Sequence, residues 1–130
     1  MVRARWISAA VLCTAHLVAI PARSLTPEEA EIAVDLGKLE GLLEQAHFRE
    51  AAEKALILRK QALALPPSGD AGRLAVRAEV VAGTAALALN QPGFARECFG
   101  RALRLDPRLV LTGTAPKVRR TFDAVKETLP

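Results

Sequence analysis

The chain has 130 residues, 51% of them hydrophobic, 25% charged and 4% aromatic, with no tyrosine. That length suits one domain, leaves no room for a cofactor domain beside a substrate domain, and so apolar a composition speaks against long disorder. Eighteen basic against fourteen acidic side chains give +4, a balance whose meaning depends on where the charges sit.

Arg3 and Arg5 open the chain, Ile7 to Ile20 is apolar except for Ser8, Thr14 and His16, and Pro21-Ala22-Arg23-Ser24 ends the run. This is the layout of a secretory signal peptide over residues 1–24, cut after Ser24 or after Ala22. A crossing helix needs about 20 apolar residues, so the run is short for a retained inner-membrane anchor, the competing reading. Cys13 lies deep in the run behind Leu12, which does not suit lipid attachment. Removing the leader takes away Arg3, Arg5 and Arg23 and leaves fifteen basic against fourteen acidic side chains over residues 25–130. The expected location is the periplasm or the exterior of the cell, without membrane insertion once the leader is cut. One cysteine, Cys98, then remains, so no internal disulfide is expected in that oxidising compartment. Its apolar neighbours predict a buried small hydrophobe.

From Leu25 on, the helical period dominates. Thr26-Pro27-Glu28-Glu29 reads as a capping box with proline in the first turn. Ile32, Leu36, Leu39, Leu43 and Ala46 follow on one stripe, with Glu31, Asp35, Glu40 and Glu44 making an acidic outer face. A second run carries Phe48, Ala51, Ala55, Leu58, Ala62 and Leu65 and is stopped by Pro66-Pro67. A third spans about 71–89 with Leu74, Ala78, Val81, Ala85 and Leu89 in register, closed by a turn at Asn90-Gln91-Pro92-Gly93. The fourth covers Phe94 to Leu105, and Asp106-Pro107 ends it. Leu109-Val110-Leu111 reads as a short extended segment packed along the helices. Gly113-Thr114-Ala115-Pro116 opens a last helix with Val118, Phe122, Val125 and Leu129 on one side. Nothing alternates with period two over a strand length, so residues 25–130 are expected to be one all-α domain. Its short connections favour antiparallel neighbours, and its alanine-rich faces let helix axes approach to about 8 Å.

At Gly83, Ala95, Phe99, Ala102 and Pro107 the chain resembles a tetratricopeptide repeat, whose 34-residue helix-turn-helix unit places small and apolar residues at these spacings. Two aromatic positions of the family are taken by Glu79 and Ala86. Phe48-Arg49-Glu50-Ala51 resembles a second, degenerate unit, but Ala51 and Ala95 stand 44 residues apart. The segment from Ala115 to Phe122 also resembles the ending of exported repeat-like bacterial proteins. The resemblance implies antiparallel hairpins stacked as a short solenoid with a C-terminal helix, against the alternative of a plain helical bundle. In it, Gly83 would allow a close helix crossing, Ala95 and Ala102 would lie at that crossing, and Phe99 would fill the gap between units. It further implies a concave binding face on the first helix of each unit, carried here by Arg77, Val80, Thr84 and Leu87, with Arg73 nearby.

Chemistry is sparse. With His47 and Cys98 as the sole histidine and cysteine after the leader, no zinc site and no catalytic triad can be assembled. Gly37-Lys38 lacks the flanking residues of a phosphate loop. Gly37 and Gly41, with Lys38 and Glu40 between them, suggest close packing of helices rather than a membrane dimer. Glu28, Glu29, Glu31 and Asp35 read as a solvated face, not as paired catalytic acids. The expectation is a protein with no enzymatic activity, no metal and no cofactor.

Charge is divided along the chain. Residues 25–69 hold five basic and eight acidic side chains, residues 70–130 ten and six. Arg73, Arg77, Arg96, Arg101, Arg104, Arg108, Arg119 and Arg120 would suit an acidic protein partner, although an ordinary solvated surface explains them too. Nucleic acid is disfavoured, because no aromatics interleave with the basic residues. These features lead to the expectation of an exported protein–protein interaction module of the bacterial cell envelope. The alternative is a structural subunit of an envelope assembly held by permanent hydrophobic contacts, for which Leu109, Val110 and Leu111 would be the exposed marker.

Overall fold

The computed structural model describes residues 24–130, so the leader expected over residues 1–24 falls, but for Ser24, outside them, as does Cys13. Five helices follow in order: α1 (Pro27–Glu44), α2 (Phe48–Ala64), α3 (Gly69–Ala88), α4 (Pro92–Leu105) and α5 (Pro116–Thr128). No strand occurs among the described residues, and the fold is all-α.

Local chemistry sets the helix starts. The Thr26 hydroxyl accepts from the Glu29 amide at 3.2 Å while Glu29 accepts from the Thr26 amide at 2.8 Å, which completes the capping box. Ser68 caps α3 by accepting from the Ala71 amide at 3.0 Å, and its hydroxyl donates to Glu29 at 2.9 Å. One carboxylate therefore joins the N-termini of α1 and α3. Pro92 and Pro116 begin α4 and α5, where a missing amide hydrogen leaves nothing unsatisfied. For α4 this moves the start two residues ahead of the expected Phe94.

The α1–α2 and α3–α4 turns are built alike. Ala46 and Asn90 adopt φ of 64° and 60°, and each turn returns two amides to the helix it leaves. His47 donates to the Leu42 carbonyl and Ala46 to Leu43; Gln91 donates to Ala86 and Asn90 to Leu87. The two turns lie 44 residues apart, the interval that separates Ala51 from Ala95. Ala46 is thus a left-handed turn residue, exposed, and not the apolar-stripe position expected of it. Alanine on the apolar register reads as helix, and the sequence carries no glycine or asparagine there to mark the left-handed turn.

Helix α3 is the centre of the molecule. It lies against α1, α2 and α4 and touches α5, while α2 and α4 do not pack on each other. This is the neighbour pattern of stacked hairpins: first helices α1, α3 and α5 meet in series, and second helices α2 and α4 flank them. One apolar cluster joins α1, α2 and most of α3 through Ile32, Leu36, Ala51, Ala55, Leu58, Ala78 and Ala82. A second joins the end of α3 to α4 and α5 through Leu87, Phe99, Leu103, Leu111, Phe122 and Val125.

Gly83 carries the tightest crossing. A Cβ there would stand 2.6 Å from Cε1 of Phe99, a fully buried ring. Phe99 in turn meets Phe122 edge to face, with centroids 5.8 Å apart. Ala95 and Ala102 are fully buried, and Pro107 is exposed in the link between α4 and α5. Gly37 and Gly41 do not behave as expected, for a Cβ at either would meet nothing within 4 Å. They lie away from the α1 packing face, so no helix approaches them. Of the three residues in the α4–α5 link, Leu111 is buried, Leu109 packs partly against the second cluster and Val110 alone is largely exposed. Arg119 holds this link by donating to the Leu111 carbonyl at 2.7 Å. The patch that would mark permanent hydrophobic assembly is therefore not formed by this segment.

Candidate functional site

The five residues proposed for a concave face form one stripe on α3 but differ in exposure. Arg73 is exposed and ion-paired with Asp70. Arg77 is half-buried and reaches Glu40 of α1 at 2.8 Å, so its guanidinium spans the two first helices. Val80 and Thr84 are half-buried, Val80 packing on the second cluster. Leu87 is 4% exposed and belongs to that cluster, so its side chain serves the core and offers nothing to an outside partner. What stays open is the strip Arg73–Arg77–Val80–Thr84.

A buried ionic cluster lies behind the same helix. Glu79 is 1% exposed. Its Oε2 accepts from Arg101 Nε of α4 at 2.7 Å and lies 3.5 Å from Arg59 Nη1 of α2. A second contact, Arg101 Nη2 to Oε1 at 3.4 Å, makes the Arg101 contact two-pronged. The hydrogen bond to Glu79 raises the Arg101 pKa above its ordinary value, so the guanidinium keeps its charge. Arg59 Nε is buried with no partner among the described residues. This carboxylate of α3 joins a side chain of α2 to one of α4. The sequence shows the acid at position 79 but not its partners, which come from two other helices. The available signal was a lone acid inside an apolar helical run, which in a buried helix demands a cation from a neighbour.

Cys98 sits beside this cluster, fully buried, with Sγ 3.5 Å from Arg101 Nη2. Burial and the nearby Glu79 carboxylate push its thiol up to about 11, so it stays protonated at neutral pH. That disqualifies it as a nucleophile. His47 caps nothing with its side chain and is exposed at the start of α2. Among the described residues, no group of three or more His, Cys, Asp or Glu side chains is arranged to hold a metal ion. No described helix is long and apolar enough to cross a membrane.

Two surface features lie at opposite ends of the array. Between α4 and α5 runs a cleft of about 710 Å³ whose walls include Arg96, Gly100, Arg104, Val125 and Leu129. Arg96 and Arg104 are exposed and have no ion-pair partner among the described residues. At the other end, the outer face of α1 carries Ala30, the exposed Val34, Gly37 and the half-buried Gly41. The sequence marks Gly37, Gly41, Arg96 and Arg104, but the open face and the cleft they belong to emerge only from the packing of the helices.

Comparison with known proteins finds no matching family model, no similar curated protein and no similar solved structure.

Proposed function

We propose that the protein is an exported, non-enzymatic, tetratricopeptide-like module of the bacterial cell envelope that binds another protein, of acidic character, on its first-helix face. The observation that carries this reading is the hairpin built twice with the same turn, which brings α1, α3 and α5 together in series and leaves Arg77, Val80 and Thr84 half-open along α3. A guanidinium beside a short apolar strip suits a carboxylate next to an apolar side chain on an extended or helical segment. Export rests on the layout of residues 1–24.

The test is affinity capture from the envelope fraction with wild-type protein and with Arg77→Glu, read by mass spectrometry. Loss of the Glu40 pair is worth less than about 1 kcal/mol at this exposure, so the variant keeps the wild-type circular dichroism. It is expected to retain its partner roughly tenfold less well. Equal recovery of the same partner by both proteins would remove α3 from the binding face.

A further inference from the structure

Two guanidiniums share one carboxylate behind α3. Arg101 Nε of α4 and Arg59 Nη1 of α2 stand 2.7 and 3.5 Å from the same oxygen, Glu79 Oε2. Arg101 alone balances Glu79, and it makes a second contact with it at 3.4 Å. Arg59 therefore brings a positive charge in excess. Its ion pair with Glu79 is long, its Nε is buried without a partner, and its side chain is only 22% exposed. A charge drawn out of water without a full counter-charge is unfavourable, and two guanidiniums at one oxygen repel each other. The cluster is short of one anion. Glu97, one turn before Arg101, acts on it through space, but it is exposed and forms no ion pair with it among the described residues.

A groove leads away from this cluster. Helices α2 and α4 each run back along α3 and so point the same way, yet they do not pack on each other. Arg59 Nη2 and Arg101 Nη1 have no partner among the described residues. Leu63 and Leu105 each follow their arginine by four residues, which puts them on the same side of their helices, about 6 Å further along. Both are exposed large apolar side chains. Because α3 runs the other way, Val76 and Gly72, three and seven residues before Glu79, continue its stripe toward that same end. Val76 is buried, and a Cβ at Gly72 would meet nothing within 4 Å, so this part of the floor is not filled.

We propose that the α2–α4 groove binds a small aliphatic monocarboxylate, its carboxylate bridging Arg59 and Arg101 and its chain lying along Leu63 and Leu105 over Val76. The charge fixes the head group. One positive charge lacks a counterpart, so a monoanion balances the cluster, whereas a dianion would add repulsion from Glu79. Spacing fixes the chain. The leucines stand about 6 Å beyond the arginines, the reach of a chain of about four or five carbons. A bound acid adds a bridge between α2 and α4 beside the one that Glu79 makes. The site lies on the side of α3 turned away from Arg77, Val80 and Thr84, so it does not depend on partner binding there.

An NMR titration tests it, read at the Nε–H groups of Arg59 and Arg101, of which one is buried and the other bonded to Glu79. Hexanoate is expected to shift both signals and, on saturation, to raise the melting temperature. Hexanamide keeps the chain without the charge, and acetate keeps the charge without the chain. Each is expected to bind roughly tenfold more weakly. Arg59→Met leaves the Arg101–Glu79 pair whole and is expected to abolish the response at Arg101. Leu63→Ser/Leu105→Ser changes exposed positions alone and is expected to weaken hexanoate about fivefold while leaving acetate unaffected. Glu97→Gln, which takes away a neighbouring negative charge, is expected to tighten binding about twofold. Hexanoate that moves neither signal would overturn the proposal, as would hexanamide binding equally well or Arg59→Met binding like wild type. Preference for hexyl phosphate would overturn the assignment to a monoanion. Saturation by a peptide carboxylate where hexanoate fails would give the groove to a protein ligand instead.

Discussion

Gly83 and Phe99 show how much one missing methyl can decide. Alanine is the better helix former by about 1 kcal/mol, so an exposed Gly83 would gain from the exchange. Here the added Cβ would fall inside the contact distance of three ring atoms of a side chain that has no room to swing away. Overpacking of this kind costs about 1–3 kcal/mol. Gly83→Ala is therefore expected to lower the unfolding free energy by a net of up to about 2 kcal/mol, against its propensity. Phe99→Leu placed in the same background should return part of the loss. A Gly83→Ala protein as stable as wild type would mean that the ring yields freely. Glu79 illustrates the opposite case, a position filled by charge where the resemblance expects a large apolar group. Its role is plain only once Arg59 and Arg101 are seen beside it, because they come from two other helices.

At the scale of the element, the helices themselves were legible. Each carries an apolar register of three and four, and the Thr26 capping box and the Pro66-Pro67 stop are local chemistry that no distant contact has to supply. What was not legible depended on neighbours. Ala46 fits the α1 register and yet turns the chain. Gly37 and Gly41 have the spacing of a helix contact and face solvent. Leu87 follows the stripe of Arg77 and Thr84 but dips into the second cluster, since a straight stripe on α3 passes from the open surface to the crossing with α4 and α5. The joint between α1 and α3 gives a prediction at this scale. Hydrogen bonds from the Thr26 amide and then the Ser68 hydroxyl hold the Glu29 pKa below its usual value, against the smaller opposing effect of burial. A carboxyl whose folded pKa is depressed adds stability above its unfolded pKa of about 4.5 and loses it as pH falls through the folded value. Melting temperature should thus decline in acid more steeply for wild type than for Glu29→Gln. Parallel acid profiles for the two proteins would show that Glu29 does not couple the helix starts to pH.

At the scale of the whole molecule, α3 belongs to both apolar clusters, and the Glu79 cluster ties α2 to α4 across it. Neither cluster can open without disturbing the helix that completes the other, so one cooperative transition is expected. Cys98 is a reporter for it. It is carried by α4, packs in the first cluster and is fully buried. With its thiol pushed up to about 11, it should resist a thiol reagent even near pH 9, where a free cysteine is largely ionised. The labelling rate should rise with denaturant as steeply as global unfolding does, and rapid labelling in the absence of denaturant would reveal that α4 detaches alone.

The seam between α2 and α3 is lined with the smallest side chain that still favours a helix: Ala51, Ala55 and Ala62 on one side, Ala75, Ala78, Ala82 and Ala85 on the other. Inheritance acts on such a seam in one direction. There is scarcely a carbon left to lose, and any gain pries the two rods apart. Descendants can exchange alanine there for little besides glycine, serine or cysteine, while the solvent face of α2 is under no such limit. In a lineage of such proteins, the lasting signature is a rhythm of small residues rather than any reactive group.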